Sequence, residues 1–129
     1  MEGERKRIKS YRDLVVWQKA HEHAKKVIGL SGQMPQSEEV RVIKRQLLRS
    51  ATSIPANIAE GYGGNHGRVF QNALTIARRE TLETDYWLLL CYELGYIDRM
   101  IYEEVEQGYQ EVRAMLSSFI LKLEKPSDS

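Results

Sequence analysis

Apolar residues recur along this chain at steps of three and four, in four successive runs. Trp17, Ala20, Ala24, Val27, Ile28 and Met34 trace the first stripe. Val40, Ile43, Leu47, Ala51, Ile54 and Ile58 trace the second. Phe70, Ala73, Leu74, Ala77, Thr84, Trp87, Leu88, Cys91 and Leu94 make the third, and Ile101, Val105, Val112, Met115, Phe119 and Leu123 a nearly heptad fourth. A period near 3.6 turns one face of a helix toward a core. No period-2 alternation is long enough to argue a strand. The pattern predicts an all-α chain. Long helices with short connections most simply make an antiparallel up-down-up-down four-helix bundle.

Punctuation between the stripes predicts their ends. Asp13 is placed to cap the first helix, and Gly32 and Pro35 to end it. Ser37 is a cap for the second, with Glu38 and Glu39 set against the positive helix end. Apolar phase then continues through Pro55. A proline inside a helix deletes one backbone hydrogen bond and costs about 3 kcal/mol, so the surviving phase predicts a kink there and not a stop. Ser53 is the side chain expected to bond a freed carbonyl. Gly61 is read as the end of this helix, and Gly63, Gly64 and Gly67 as a flexible turn. The third helix runs from about Gly67 to Leu94, roughly 42 Å at 1.5 Å per residue. It carries Arg79 and Glu83 as an i,i+4 pair and stops at Gly95. Asp98 starts the fourth, with Ile97 and Tyr102 as a hydrophobic staple, and Gly108 is a small residue at a packing position. The expected organisation is a basic arm at 1–12, one bundle at 13–125 and a disordered tail at 126–129.

At 129 residues, with 42% apolar and 29% charged residues, the chain can bury about two-thirds of its unfolded surface and needs no staple. Cys91 is the lone cysteine, which excludes an internal disulfide and points to a reducing compartment. Residues 1–12 hold no apolar run of signal-peptide length, and no stretch is long enough to span a membrane. The expectation is a cytoplasmic protein with no membrane contact.

Net charge is +1, yet residues 1–79 carry 15 Lys/Arg against 7 Asp/Glu, or +8, and residues 80–129 carry 4 against 11, or −7. Clustered cations bind nucleic-acid backbones by releasing condensed counterions. The candidate contacts are Lys19, Lys25 and Lys26 on helix 1, Arg41, Lys44, Arg45 and Arg49 along one side of helix 2, and Arg68, Arg78 and Arg79 on helix 3. A solvated face, or salt bridges to a neighbouring copy's acidic fourth helix, stays open beside this. Tyr86, Tyr92, Tyr96, Tyr102 and Tyr109 sit in acidic company and suit subunit contacts better than base stacking.

Catalytic chemistry finds little support. His21 and His23 point apart on a helix and cannot share a metal, while His66 lies in a glycine-rich loop with no second ligand. Cys91 falls on an inward stripe, where a thiol is a small apolar filler. The loop Gly61–Gly67 lacks the preceding strand and fixed spacing of phosphate loops. No cofactor fingerprint or nucleophile–base pair stands out, so the expectation is a non-enzyme without metal or cofactor.

The stretch Leu47-Leu48-Arg49-Ser50-Ala51-Thr52-Ser53-Ile54-Pro55-Ala56-Asn57-Ile58-Ala59-Glu60-Gly61, with Val16-Trp17-Gln18-Lys19-Ala20, resembles the four-helix-bundle proteins named after the intervening sequences of bacterial 23S ribosomal RNA genes. Ile76 to Leu88 looks like one branch of that family; the commoner branch has Gly-Ser where this chain has Arg78-Arg79 or Arg79-Glu80. The likeness covers roughly Leu14 to Leu123. It implies a homopentameric ring, and a fold shared with the accessory variability determinant of diversity-generating retroelements, a basic pentamer that binds a reverse transcriptase and nucleic acid. Trp17, Pro55, Asn57, Glu60 and Gly61 are expected to act structurally. The function expected is a non-enzymatic oligomeric scaffold binding RNA or DNA, with a structural or protein-interaction ring as the alternative.

Overall fold

The computed structural model describes residues 7–64 and 67–124. A 3-10 turn at Tyr11–Asp13 precedes four helices: α1 (Val15–Ser31), α2 (Glu38–Gly64), α3 (Arg68–Glu93) and α4 (Arg99–Glu124). No strand occurs among the described residues. Of the expected arm, residues 1–6 lie outside the described residues, as do the tail at 126–129 and His66.

The helix ends follow local chemistry. Ser10 Oγ accepts from Arg12 N at 3.2 Å, and Asp13 Oδ2 accepts from Lys9 N at 2.8 Å and Ser10 N at 3.3 Å. Asp13 therefore closes a capping box on the 3-10 turn instead of capping α1. Leu14 stands at that cap position with no side-chain hydrogen bond. Ser37 Oγ accepts from Val40 N at 3.2 Å to open α2, and Asp98 Oδ1 accepts from Ile101 N at 2.8 Å to open α4. Gly95, at φ 81°, closes α3 while Tyr96 N donates back to Cys91 O at 2.8 Å. That left-handed geometry favours glycine.

α2 departs from expectation at its end. It contains Pro55 and continues through Gly61 to Gly64, so Gly61 is interior and Gly63 and Gly64 are helical. Gly61 is buried against Ala73 and Phe70 of α3, and this packing holds a segment whose glycines each cost about 1 kcal/mol in a helix. Ser53 Oγ donates to Ser50 O at 2.9 Å. That is one residue short of Ala51 O, the carbonyl deprived by Pro55. Asn57 Nδ2 donates to Ser53 O at 2.7 Å.

α1 packs against α2 and α4, and α3 against the same two, so the helices close around one core. Rising positions of α2 meet falling positions of α3: Arg49 faces Glu83, and Gly61 faces Ala73. Val27, Leu47, Ile54, Ile58, Leu74, Leu88, Val112 and Leu116 are fully buried; burying one such side chain contributes about 1.5–3 kcal/mol. Ile28 and Leu94 are not in the core, at 48% and 50% exposed. Ile28 lies a further 100° round α1 from the buried Val27, and Leu94 caps α3 beyond its last turn. In α4 the buried line is Val105, Tyr109, Val112, Leu116 and Ile120, with Met115, Phe119 and Leu123 on its flank. Tyr109, expected at a subunit surface, is fully buried, and burial pushes its hydroxyl pKa up.

Two polar features sit inside this core. Ser50, Thr81 and Thr84 are fully buried. Thr84 Oγ1 lies 2.9 Å from Ser50 Oγ and 2.8 Å from Glu80 O, while Ser50 donates to Leu47 O at 3.1 Å. Arg113 Nε donates to Thr81 Oγ1 at 3.0 Å, and its Nη2 lies 3.4 Å from Asp85 Oδ2. On the other side, the His23 ring covers Gly108 so closely that an added Cβ would stand 2.9 Å from Nδ1 and nearer still to Cε1.

Candidate nucleic-acid interface

The ten candidate cations do not form one patch. Lys19, Lys25 and Lys26 are exposed on α1. Burial on the α4 side, then Lys26 and more weakly Lys19, hold the His23 pKa below the ordinary histidine value. Lys25 stands instead beside the α1–α2 recess and approaches Glu22 at 3.4 Å. Arg68 and Arg79 are exposed on α3. Arg78 is half-buried and turned toward α4, where Nη1 donates to Ser117 Oγ at 3.3 Å.

The outer face of α2 is the densest group. Arg41 and Arg45 are exposed there, and the half-buried Lys44 lies between them and the buried Val40 and Leu47. Arg41 Nη1 pairs with Glu38 Oε1 at 3.0 Å, an exposed pair within one turn. Such pairs are worth a few tenths of a kcal/mol and leave the cation available. Lys44 and Arg45 have no carboxylate within 4.0 Å among the described residues. Arg41 and Lys44 also line a shallow polar recess of about 240 Å³ with Pro35, Gln36 and Ser37.

Arg49 belongs to a different arrangement. Its guanidinium pairs with Glu83 and lies 3.7 Å from Glu80, both on α3. Hydrogen bonds from Arg49, and then from Trp87 Nε1 at 3.0 Å, hold the Glu83 carboxyl below the usual carboxylate range. Glu83 was expected to pair with Arg79 along its own helix; it is taken up by the neighbouring helix. Arg49 and Arg78 thus join helices to each other and add little to an open cationic surface.

The residues given structural roles fall into two groups. Asn57, Glu60 and Gly61 line a groove with Val69, Asn72, Ala73 and Ile76 of α3. Trp17 and Pro55 meet across a second recess, between α1 and α2, lined by Tyr11, Trp17, His21, Ala24, Lys25, Ile28, Thr52, Pro55, Ala56 and Ala59. In it Trp17 stacks on His21 at 4.6 Å and 11°, with Tyr11 edge-on at 5.0 Å. The sequence pattern missed this aromatic cluster, although Trp17 and His21 at i,i+4 carry its signal. It also missed the exposed apolar side chains of α3, Val69, Ile76, Leu82 and Leu89. Among the described residues no group of three His, Cys, Asp or Glu side chains is placed to hold a metal ion, and no helix is long and apolar enough to cross a membrane. Cys91 is buried, which raises its thiol pKa to about 11.

A family model described as 23S rRNA-intervening sequence protein matches residues 12–118. A solved structure from Bacteroides thetaiotaomicron VPI-5482, described as a protein of unknown function from the S23 ribosomal protein family, is 37% identical. The match covers 82% of this chain and 98% of that one, with a TM-score of 0.75. No curated protein matches the chain.

Proposed function

The chain belongs to the 23S rRNA-intervening sequence protein family, and on that premise we propose a non-enzymatic, oligomeric scaffold that binds RNA or DNA through the basic outer face of α2 and the lysines of α1. The observation that carries this reading is the outer face of α2. Among the described residues, Arg45 and the half-buried Lys44 have no carboxylate partner there, beside an Arg41 held only by an exposed pair. Neutralising phosphates releases counterions, so affinity from such a face falls steeply with salt. Five copies in a homopentameric ring would multiply a modest patch into a strong one. A reverse transcriptase is the protein partner that the resemblance to retroelement accessory proteins suggests, in the cytoplasm.

The test is binding of duplex DNA and structured RNA across a salt series. The reading requires binding at about 50 mM salt and a log–log slope near −0.9 per duplex-DNA phosphate neutralised. Absent binding, or a flat slope, rejects it.

A second reading, a structural or protein-interaction ring, draws on the exposed Val69, Ile76, Leu82, Tyr86 and Leu89 of α3 and the opposed +8 and −7 halves. A closed ring sets unlike surfaces against each other. Arg41→Glu/Lys44→Glu/Arg45→Glu separates the two. Loss of nucleic acid from an intact oligomer on a sizing column favours the first; an oligomer that falls apart favours the second.

A further inference from the structure

We propose that the recess between α1 and α2 is a stacking site for one unpaired nucleobase of a nucleotide or single strand. One wall is a run of rings: Tyr11 edge-on to Trp17, and Trp17 face to face with His21. The opposite wall is flat and small, made by Thr52, Pro55, Ala56 and Ala59 along α2. The recess holds about 320 Å³, at the small end of ligand pockets. A planar heteroaromatic ring is the ligand whose shape and polarisability suit an aromatic wall facing a smooth aliphatic one, because stacking accepts any base.

Charge narrows the choice to an anionic ligand. Lys25 is the one lining side chain that carries a full charge. The Arg12 guanidinium lies 5.7 Å from the Tyr11 ring centroid at the mouth, and Arg7, Lys9 and Arg12 are all exposed on the segment leading into it. A neutral apolar ligand would gain nothing from these cations, whereas a nucleotide phosphate would sit among them. The inference rests on the nucleic-acid reading above: the basic face holds backbone, and the recess takes a base that has left its stack.

The probe is adenosine monophosphate, with ribose 5-phosphate as the control that has the charge and lacks the ring. Trp17 and Trp87 are the two indoles, so Trp87→Phe protein reports Trp17 alone by fluorescence. Wild-type protein followed through its indole N–H signals by NMR gives the same readout without substitution. The expected result is saturable quenching of Trp17 by adenosine monophosphate and none by ribose 5-phosphate. Ala56→Phe, at an exposed position on the small wall, should fill the recess and weaken the nucleotide about tenfold, the usual size of one stacked base, while duplex DNA still binds with its salt slope. Equal responses to the two phosphates, or unchanged nucleotide binding by Ala56→Phe, overturns the stacking site and leaves the basic face standing. Loss of duplex binding and its slope in wild-type protein overturns the basic face.

Discussion

Replacing Gly61 with alanine sets two effects of opposite sign against each other inside α2. An added methyl would stand well inside 3.0 Å of Ala73 Cβ and 3.5 Å from Phe70 Cδ1. Apolar carbons settle at about 3.5–4.0 Å, so α2 and α3 must part by roughly 1 Å. Ala73 Cβ cannot swing aside, because it is fixed to its own backbone. Overpacking of this kind costs about 1–3 kcal/mol, while alanine's helix propensity returns about 1 kcal/mol. With a backbone-fixed atom in the way, the overpacking cost falls in the upper half of its range, at about 2–3 kcal/mol, so the net expectation for Gly61→Ala is a loss of about 1–2 kcal/mol. Gly63 lies in the same helix with nothing within 4 Å of its would-be Cβ, so Gly63→Ala should gain about 0.5–1 kcal/mol. Urea unfolding followed by circular dichroism measures both. Protein concentration is held constant, because assembly adds concentration-dependent stability. If Gly61→Ala unfolds at the same urea concentration as wild type or a higher one, close approach is not what holds glycine there.

At Gly108 the obstacle is the His23 ring, a side chain able to move. Gly108→Ala is expected to destabilise, and His23→Ala to recover part of the loss in the double variant, as urea midpoints will show. His23 has a folded pKa below its ordinary 6.5, so its contribution is complete above that value and is lost as pH falls through the folded pKa. Wild type should lose stability below about pH 6.5, and the His23→Ala difference curve should locate the change. Arg49→Ala should cost about 1 kcal/mol or less, as expected of a partly exposed pair. With Glu83 depressed, the difference from wild type should vanish on acidification below the ordinary carboxylate range. Cys91, buried with a thiol pKa of about 11, should react with an alkylating reagent at neutral pH only when the chain opens, and mass spectrometry against urea will follow this.

Most of the helical plan was legible because its signals are local. Ser37, Gly95 and Asp98 each act within one turn of their own position, and four apolar stripes announce four helices. What escaped depends on neighbours. Gly61 and Gly63 read as a stop by propensity, yet Ala73 and Phe70 supply the packing that carries α2 onward. The fourth stripe was read close to a heptad, through Met115, Phe119 and Leu123. An unbent 3.6-residue period drifts from that line and buries Tyr109, Leu116 and Ile120 instead. The cationic list was legible as composition only. Sequence spacing cannot tell that Glu80 and Glu83 across the bundle engage Arg49, or that Ser117 engages Arg78.

The hydroxyls of Ser50, Thr81 and Thr84 have a consequence for how the rods align. Slip α3 by one turn against its neighbours and the aliphatic stripes still mesh after a fashion, since leucine accepts many partners. Ser50 would then lose Thr84, and Arg113 would lose both Thr81 and Asp85, each stranded group costing about 1–3 kcal/mol away from water. The grease is indifferent to such a shift; the three alcohols and one guanidinium are not. Together with Arg49 on Glu83 and the close approach of Gly61 to Ala73, they work as a detent that admits a single setting of the helices.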